Sequence, residues 1–439
     1  RIVSISRSLP AFVVAMSSMA VTTAGPFCRL ADGDSGGEAV ATALVMLMTP
    51  GLAFFYGGLV RRKNVLSILM QCLIILCVIT LQWVLYGYSL TFGPDAFKGI
   101  IGGLDWAGLR NVGLQPNADY AATIPHYAFM IFQCMFAVIT PALIIGTYAE
   151  RIKFSAFLAF TLLWATFVYN PLGHWVWGMG GWLRDLGALD FAGGIVVHTS
   201  SGISALVLAL LIGRRIGYDK RTFTPHNLPF TVLGGALLWF GWFGFNAGSA
   251  LAANELAANA FVTTTVATAA AGLTWAVIEW MMHKAPTALG AVSGAVAGLV
   301  AITPACGFVN PMNAIFIGMF ASLFCYLAIA KVKSFFRYDD SLDVFGIHGV
   351  GGIWGTLATG LFAEKAVNEA GANGLFFGNA QLFGVQCMLV VVTIAFAALM
   401  TWAIFKLVDS LMCVRVEKTK EIVGLDLTQH SESAYTLVD

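Results

Sequence analysis

The chain has 439 residues, of which 58% are apolar and only 11% carry a formal charge, well under the roughly 25% of an ordinary soluble domain. So few charges cannot cover a water-soluble shell, and 24 Lys and Arg nearly cancel 23 Asp and Glu, leaving no basic stripe for nucleic acid. A cytosolic globular enzyme, a disordered chain, a nucleic-acid binder and, since Gly has no three-residue period, a fibrous protein are excluded; an all-α polytopic membrane protein remains.

The chain opens with Arg1 and Arg7 ahead of an apolar patch from Leu9 to Met19 and small residues ending at Ala20–Ala24. Residues 1–24 read as the remnant of a secretory signal peptide, with a short interfacial or twelfth helix as the alternative. Cys28 follows in a polar segment, whereas the other seven cysteines fall in or beside apolar stretches. With no Cys-x-x-Cys pair, the pattern predicts neither a disulfide framework nor a metal site, and nothing calls for a cofactor.

A helix needs about 20 apolar residues to cross a bilayer. Eleven runs qualify, near 39–60, 64–92, 124–149, 154–178, 190–212, 228–250, 256–281, 286–306, 311–331, 342–363 and 381–408. They are continuously apolar rather than alternating, which predicts helices and not a barrel. A membrane domain over 25–408 thus precedes a polar tail, 409–439. Seventeen of the 24 Lys and Arg fall in the tail and in alternate connections, among them Arg61, Arg151, Arg215 and Lys333. The positive-inside rule makes that side cytoplasmic and puts the N-terminus outside and the tail inside.

Spans one to five and six to ten have similar lengths. An odd number in each half forces opposite orientations, an inverted 5+5 repeat followed by a final helix, with functional groups expected near the midplane. Span five opens with Asp190-Phe-Ala-Gly-Gly-Ile-Val-Val-His198 and span ten with Asp343-Val-Phe-Gly-Ile-His348-Gly. His198 and His348 are the only histidines deep in predicted spans, where an ionisable group is costly and functional by default. Either one alone reads as a satisfied core residue. Two at equivalent repeat positions point to a narrow pore with one polar strip, since imidazoles donate, accept and move protons near neutral pH. No further His or carboxylate shares their depth, so no metal ion is expected. Asp190 heads its helix as a cap or as a group near a cation, and Asp343 reads as a cap. Trp177 belongs to an interfacial belt or forms a cation–π wall for a monovalent cation.

Four stretches carry a family resemblance: Met48-Thr-Pro-Gly-Leu-Ala-Phe-Phe-Tyr-Gly-Gly-Leu-Val-Arg-Arg-Lys-Asn-Val-Leu-Ser67, Asp190 to His198, Gly241-Trp-Phe-Gly-Phe-Asn-Ala-Gly-Ser249, and Asp343-Val-Phe-Gly-Ile-His-Gly-Val350. They resemble the ammonium transporter (Amt/Mep/Rh) family, on its Amt side, from about residue 38 into the tail. The resemblance implies an eleven-helix protomer in a homotrimer in the lipid bilayer, one pore per subunit, with ammonium and ammonia as substrate. It assigns ammonium recruitment to Trp177, Phe136 and Ser249, with Asp190 shaping that site. Phe136 and Phe245 become stacked rings closing the pore, and His198 and His348 the twin-His pair of an apolar conduit. The leader 1–37 and loop 93–123 carry no family pattern. The tail, frayed by composition alone, is similar to tails that pack on the cytoplasmic face and couple subunits. A PII-type regulator plugging the pore from that side is a possible partner.

K⁺ and NH₄⁺ are similar in size, so an open cation pore could not separate them. The implied mechanism recruits NH₄⁺ outside, releases its proton near Asp190, passes NH₃ between the imidazoles and lets the proton follow through water and the His pair. An Rh-like electroneutral gas channel and an ammonium sensor are the rivals. The 31-residue tail is below the size of a domain that folds alone, which weighs against the sensor. A membrane-embedded enzyme would want clustered nucleophiles or metal ligands at one depth, and none is apparent.

Overall fold

Apolar runs of this length have only their own helix to satisfy backbone polar groups. The computed structural model, which describes residues 26–220 and 223–435, is accordingly helical, with isolated bridges but no strand among the described residues. The predicted leader over 1–24 lies outside the described residues, as does the side chain of Cys28; the other seven cysteines are free thiols.

A helical segment falls at each of the eleven predicted runs. The first five are α1 (Pro26–Leu59), α2 (Arg62–Phe92), α3 (His126–Tyr148), α4 (154–177) and α5 (Gly194–Ile212). The next five are α6 (Leu228–Gly248), α7 (Glu255–His283), α8 (Ala288–Ile302), α9 (Pro311–Phe336) and α10 (345–362), and α11 (Ala380–Met412) follows. Nine segments among the described residues are long and apolar enough to cross a membrane; α8, with 15 residues, is shorter, and α10 joins a five-residue π turn to the 13 residues Val350–Phe362. Side-chain caps start the second-half helices: Asn227, Asn254, Thr287 and Asn310 each accept an amide N–H of the first turn. Pro in the first turn of α6 and α9 adds the missing-donor residue that a helix start tolerates.

The halves meet along α1 and α6 and where α5 crosses α10. At the crossing a Cβ on Gly202 would fall on the backbone of Gly349, and one on Gly352 on the backbone of Gly194 and Thr199. Small residues let helix backbones approach this closely. α5 and α10 both begin in a π turn, Gly194–Thr199 and Phe345–Gly349. Loop 93–123 folds over the opposite end of α2 and α4, with Tyr120 donating to the Phe92 carbonyl at 2.7 Å and Trp175 to that of Ile100 at 2.7 Å.

The turns predicted to be rich in Lys and Arg gather on one face around two buried carboxylates. Glu150 accepts from Arg61, Asn64 and Arg215, and Asp339 accepts from the Arg215 amide and both arms of its guanidinium at 2.8–2.9 Å. Burial raises both carboxyls, but the guanidinium of Arg215, joined by Arg61 at Glu150 and Arg151 at Asp339, more than offsets it and holds them below their ordinary values of 4.5 and 3.8. The tail docks on this face through α12 (Lys418–Val423) and α13 (Leu425–His430). Glu421 accepts from the Ile216 amide at 2.7 Å, Asp426 from that of Ser67 at 2.8 Å, and the Leu425 amide donates to Asn64.

Two outcomes are expected. Gly202→Val overpacks the crossing at a cost of about 1–3 kcal/mol, read as a lower melting temperature of the detergent-solubilised protein. Glu150→Gln leaves Arg215 underpaired, costing about 3–5 kcal/mol at pH 7. Carboxyls depressed in the folded state contribute stability above their unfolded values and lose it as pH falls through the folded ones. The share of stability lost as pH falls below about 4.5 should therefore be smaller in Glu150→Gln than in the wild type, read as the difference between their melting temperatures from about pH 6 down to about 3.

Candidate functional site

The site begins where α4 ends. Trp177 closes its last turn, its indole N–H donates to the Asp190 carbonyl at 2.9 Å, and the Arg184 guanidinium donates to the Trp177 carbonyl. Between α4 and α5 the chain turns through Gly193, whose φ of +113° suits a residue without Cβ. That turn aims four amides at one carboxylate: Gly193 and Gly194 donate to Asp190 Oδ1 at 2.9 and 2.6 Å, and Ile195 and Val196 to Oδ2 at 2.9 and 3.2 Å. Four donors require an acceptor-only group, so this is the anion at the head of α5.

Phe136 on α3 presents its ring edge-on to Trp177, centroids 6.1 Å apart at 89°, and stacks on Phe245 of α6 at 4.2 Å and 25°. Ser249 follows Phe245 by one turn and donates its hydroxyl to the Phe245 carbonyl at 2.9 Å, leaving the oxygen free to accept. Trp177, Phe136, Asp190 and Ser249 thus line one cavity of about 440 Å³, together with Tyr120, Gln133 and Arg184. The stacked rings form a partition: Phe136 lines this cavity and Phe245 the next.

Beyond the partition, Met48, Leu52, Phe55, Ile139, Leu143, Leu238 and Val296 wall a second cavity of about 10 Å³. That is room for about one water-sized molecule. Trp242 completes the wall, its indole N–H already given to Thr303 at 2.8 Å. The ring of His198 is stacked on Trp242 (5.3 Å, 21°) and on His348 (5.3 Å, 21°), and the two Nδ1 atoms stand 3.3 Å apart. At that distance one Nδ1 donates and the other accepts, so in the neutral pair one Nε2 is an acceptor and the other a donor. The only polar side-chain atoms lining this cavity, other than the engaged Trp242 N–H, belong to the two imidazoles.

The predicted site residues therefore fall into an outer group, a stacked pair and a histidine pair. One expectation is corrected. Asp343 does not cap α10: its φ is +61° and its carboxylate is paired with Lys333 at 2.5 Å. The Phe345 amide at the head of α10 donates instead to Asp340 Oδ2 at 2.8 Å. Sequence reading also missed Trp242, Tyr120 and Arg184. Trp242 stood inside a quoted motif, whereas Tyr120 and Arg184 sit in loops whose pattern does not tell which way they fold.

Among the described residues, nine apolar helices long enough to cross a membrane, around cavities lined by polar and aromatic groups, define a polytopic membrane protein. The model of the Ammonium Transporter Family matches residues 39–435. An ammonium transporter of Bacillus subtilis is 54% identical over 392 residues, covering 89% of this chain and 96% of that protein. Among solved structures, Mep2 of Saccharomyces cerevisiae superposes with a TM-score of 0.82 at 36% identity, covering 88% of this chain and 87% of its own. A protein described as a sensor Amt protein gives 0.84 at 29% identity, covering 92% and 99%. The chain belongs to the ammonium transporter family; it is a multi-pass membrane transporter of ammonium, not an enzyme.

Asp190→Ala strands four amide donors in a buried turn. Each unsatisfied donor costs about 1–3 kcal/mol. Ammonium uptake is expected to fall to background and the melting temperature to drop, both read on the purified variant.

Proposed function

We propose that the outer cavity recruits NH₄⁺ and that neutral NH₃ crosses the small cavity past His198 and His348 while the proton travels separately. The ring faces of Trp177 and Phe136 attract a monovalent cation, and the Ser249 oxygen accepts one of its N–H bonds. Asp190 has its lone pairs filled by amides, so it acts through its field and is not itself the proton acceptor. Phe136 and Phe245 gate the passage below. Desolvating an intact cation in the apolar cavity costs several kcal/mol without carbonyl rings to replace water. NH₄⁺ can shed a proton to become neutral and K⁺ cannot. The paired imidazoles supply one acceptor and one donor to NH₃ and, by exchanging the shared Nδ1 proton, a step for H⁺.

The observation that carries this reading is the 3.3 Å Nδ1 contact inside a cavity with room for one small molecule. The remaining assignments complete the proposal: eleven crossings in the plasma or inner membrane, the arginine-rich face and tail cytoplasmic, a homotrimer with one path per subunit, and that face open to a PII-type regulator. We read transport, rather than sensing, as the protein's activity, and the path supports that reading.

The test is ammonium-elicited current in proteoliposomes, measured against K⁺. A current carried by ammonium and not by K⁺ is expected for the wild type. His348→Leu should lower it at least tenfold or let K⁺ through. Ammonia flux without current would favour the electroneutral gas channel, and a His348→Leu current unchanged in size and in ammonium-over-K⁺ preference would remove the imidazoles from the mechanism.

A further inference from the structure

The two half-helices carrying the histidines match more deeply than the histidines alone. Asp190 precedes His198 by eight residues, and Asp340 precedes His348 by eight. Each aspartate caps the π turn that leads to its histidine, Asp190 through the amides of residues 193–196 and Asp340 through that of Phe345, one helical turn before His348. Inverted repetition puts Asp190 at one end of the path and Asp340 at the other.

The two carboxylates differ in what is left over. Asp190 has both oxygens doubly engaged. Asp340 is wholly buried; Oδ2 holds the Phe345 amide, and the Thr147 hydroxyl, which itself donates to the Ala205 carbonyl at 2.9 Å, lies beside the carboxyl, leaving Oδ1 without a donor inside ordinary hydrogen-bond range. The surroundings connect it to the path: Tyr56, an electrostatic neighbour of Asp340, follows Phe55 of the small cavity and donates its hydroxyl to the carbonyl of Leu143, also of that wall. The charged and titratable groups around Asp340 are Lys333, which donates to the Asp340 carbonyl and pairs with Asp343, then Asp343 itself, Tyr56 and Tyr338.

We infer that Asp340 is the inner proton station of the transporter, receiving on Oδ1 the proton that leaves the histidine pair. The step balances. An N–H bond of the protonated pair breaks and, through intervening solvent, an O–H bond forms on Oδ1, leaving the pair neutral and the carboxyl uncharged. NH₃ emerging past His348 then takes that proton to become NH₄⁺ and restores the carboxylate. Burial, reinforced by Asp343 and partly offset by Lys333, pushes the Asp340 carboxyl up to about 6, within reach of proton exchange near neutral pH. Oδ2 keeps its structural bond throughout, so the group can be loaded without releasing the head of α10.

This inference rests on the proposed separation of NH₃ from its proton, and the experiment separates the two. Asp340→Asn retains a side-chain oxygen for the Phe345 amide and removes the proton acceptor. In proteoliposomes its ammonium-elicited current should fall at least tenfold while neutral ammonia flux, read by internal alkalinisation, changes less than twofold. Asp340→Glu should restore current, with its dependence on the inner pH displaced from that of the wild type. Full current in Asp340→Asn, or parallel loss of current and ammonia flux in a variant that stays folded by size exclusion, would overturn the inference. Should Asp340→Asn not fold, Asp340→Glu decides: a displaced inner-pH dependence supports the station and an unchanged one overturns it. Absence of wild-type current would instead remove the underlying reading.

Discussion

The approach of His198 to His348 depends on how closely two helix backbones can cross. Their Nδ1 atoms come to 3.3 Å because α5 and α10 meet where Gly202 and Gly352 leave no Cβ between them. Both glycines and both histidines are separated by the same number of positions, 150, so one local design is used twice in opposite senses. Each copy adds a π turn that loosens the head of its helix and a carboxylate that caps it. The apolar wall follows from the same constraint: with the backbones packed this tightly, the imidazoles have each other, Trp242 and the cavity for company.

Much of this was legible in the residues. The length of the apolar runs is dictated by backbone hydrogen bonding in lipid, and a helical segment lies at each of the eleven. Histidines are rare enough in such runs that two at matching positions stand out. Capping was less legible. Asp343 and Asp340 both precede His348, and an acid near a helix start looks the same in sequence whichever carboxylate the turn aims at the free amides. The left-handed backbone at Asp343 sends its side chain to Lys333, and only the eight-residue spacing shared with Asp190 favoured Asp340. Loop 93–123 has no periodicity, and its position follows from long-range bonds such as Trp175 to Ile100.

The tail makes the same point at the other end. Its polar composition suggests a loose terminus, yet it is held by partners some 200 to 360 positions earlier in the chain: Ile216 for Glu421, Ser67 for Asp426, Asn64 for Leu425. The face it docks on is built from charges that need each other in a buried setting, with Arg215 bridging Glu150 and Asp339. This ties the turns after α1, α3 and α5 to the segment before α10, so both halves of the repeat are joined to one rigid plate.

On the proposed path, the smallness of the second cavity has a kinetic consequence. A compartment with room for one molecule cannot be crossed in both directions at once, so arrivals from either side compete for the same berth. Throughput is then capped by how long each visitor stays. Raising the concentration outside shortens the wait between visitors and leaves the stay itself unchanged, so uptake by the proposed path levels off.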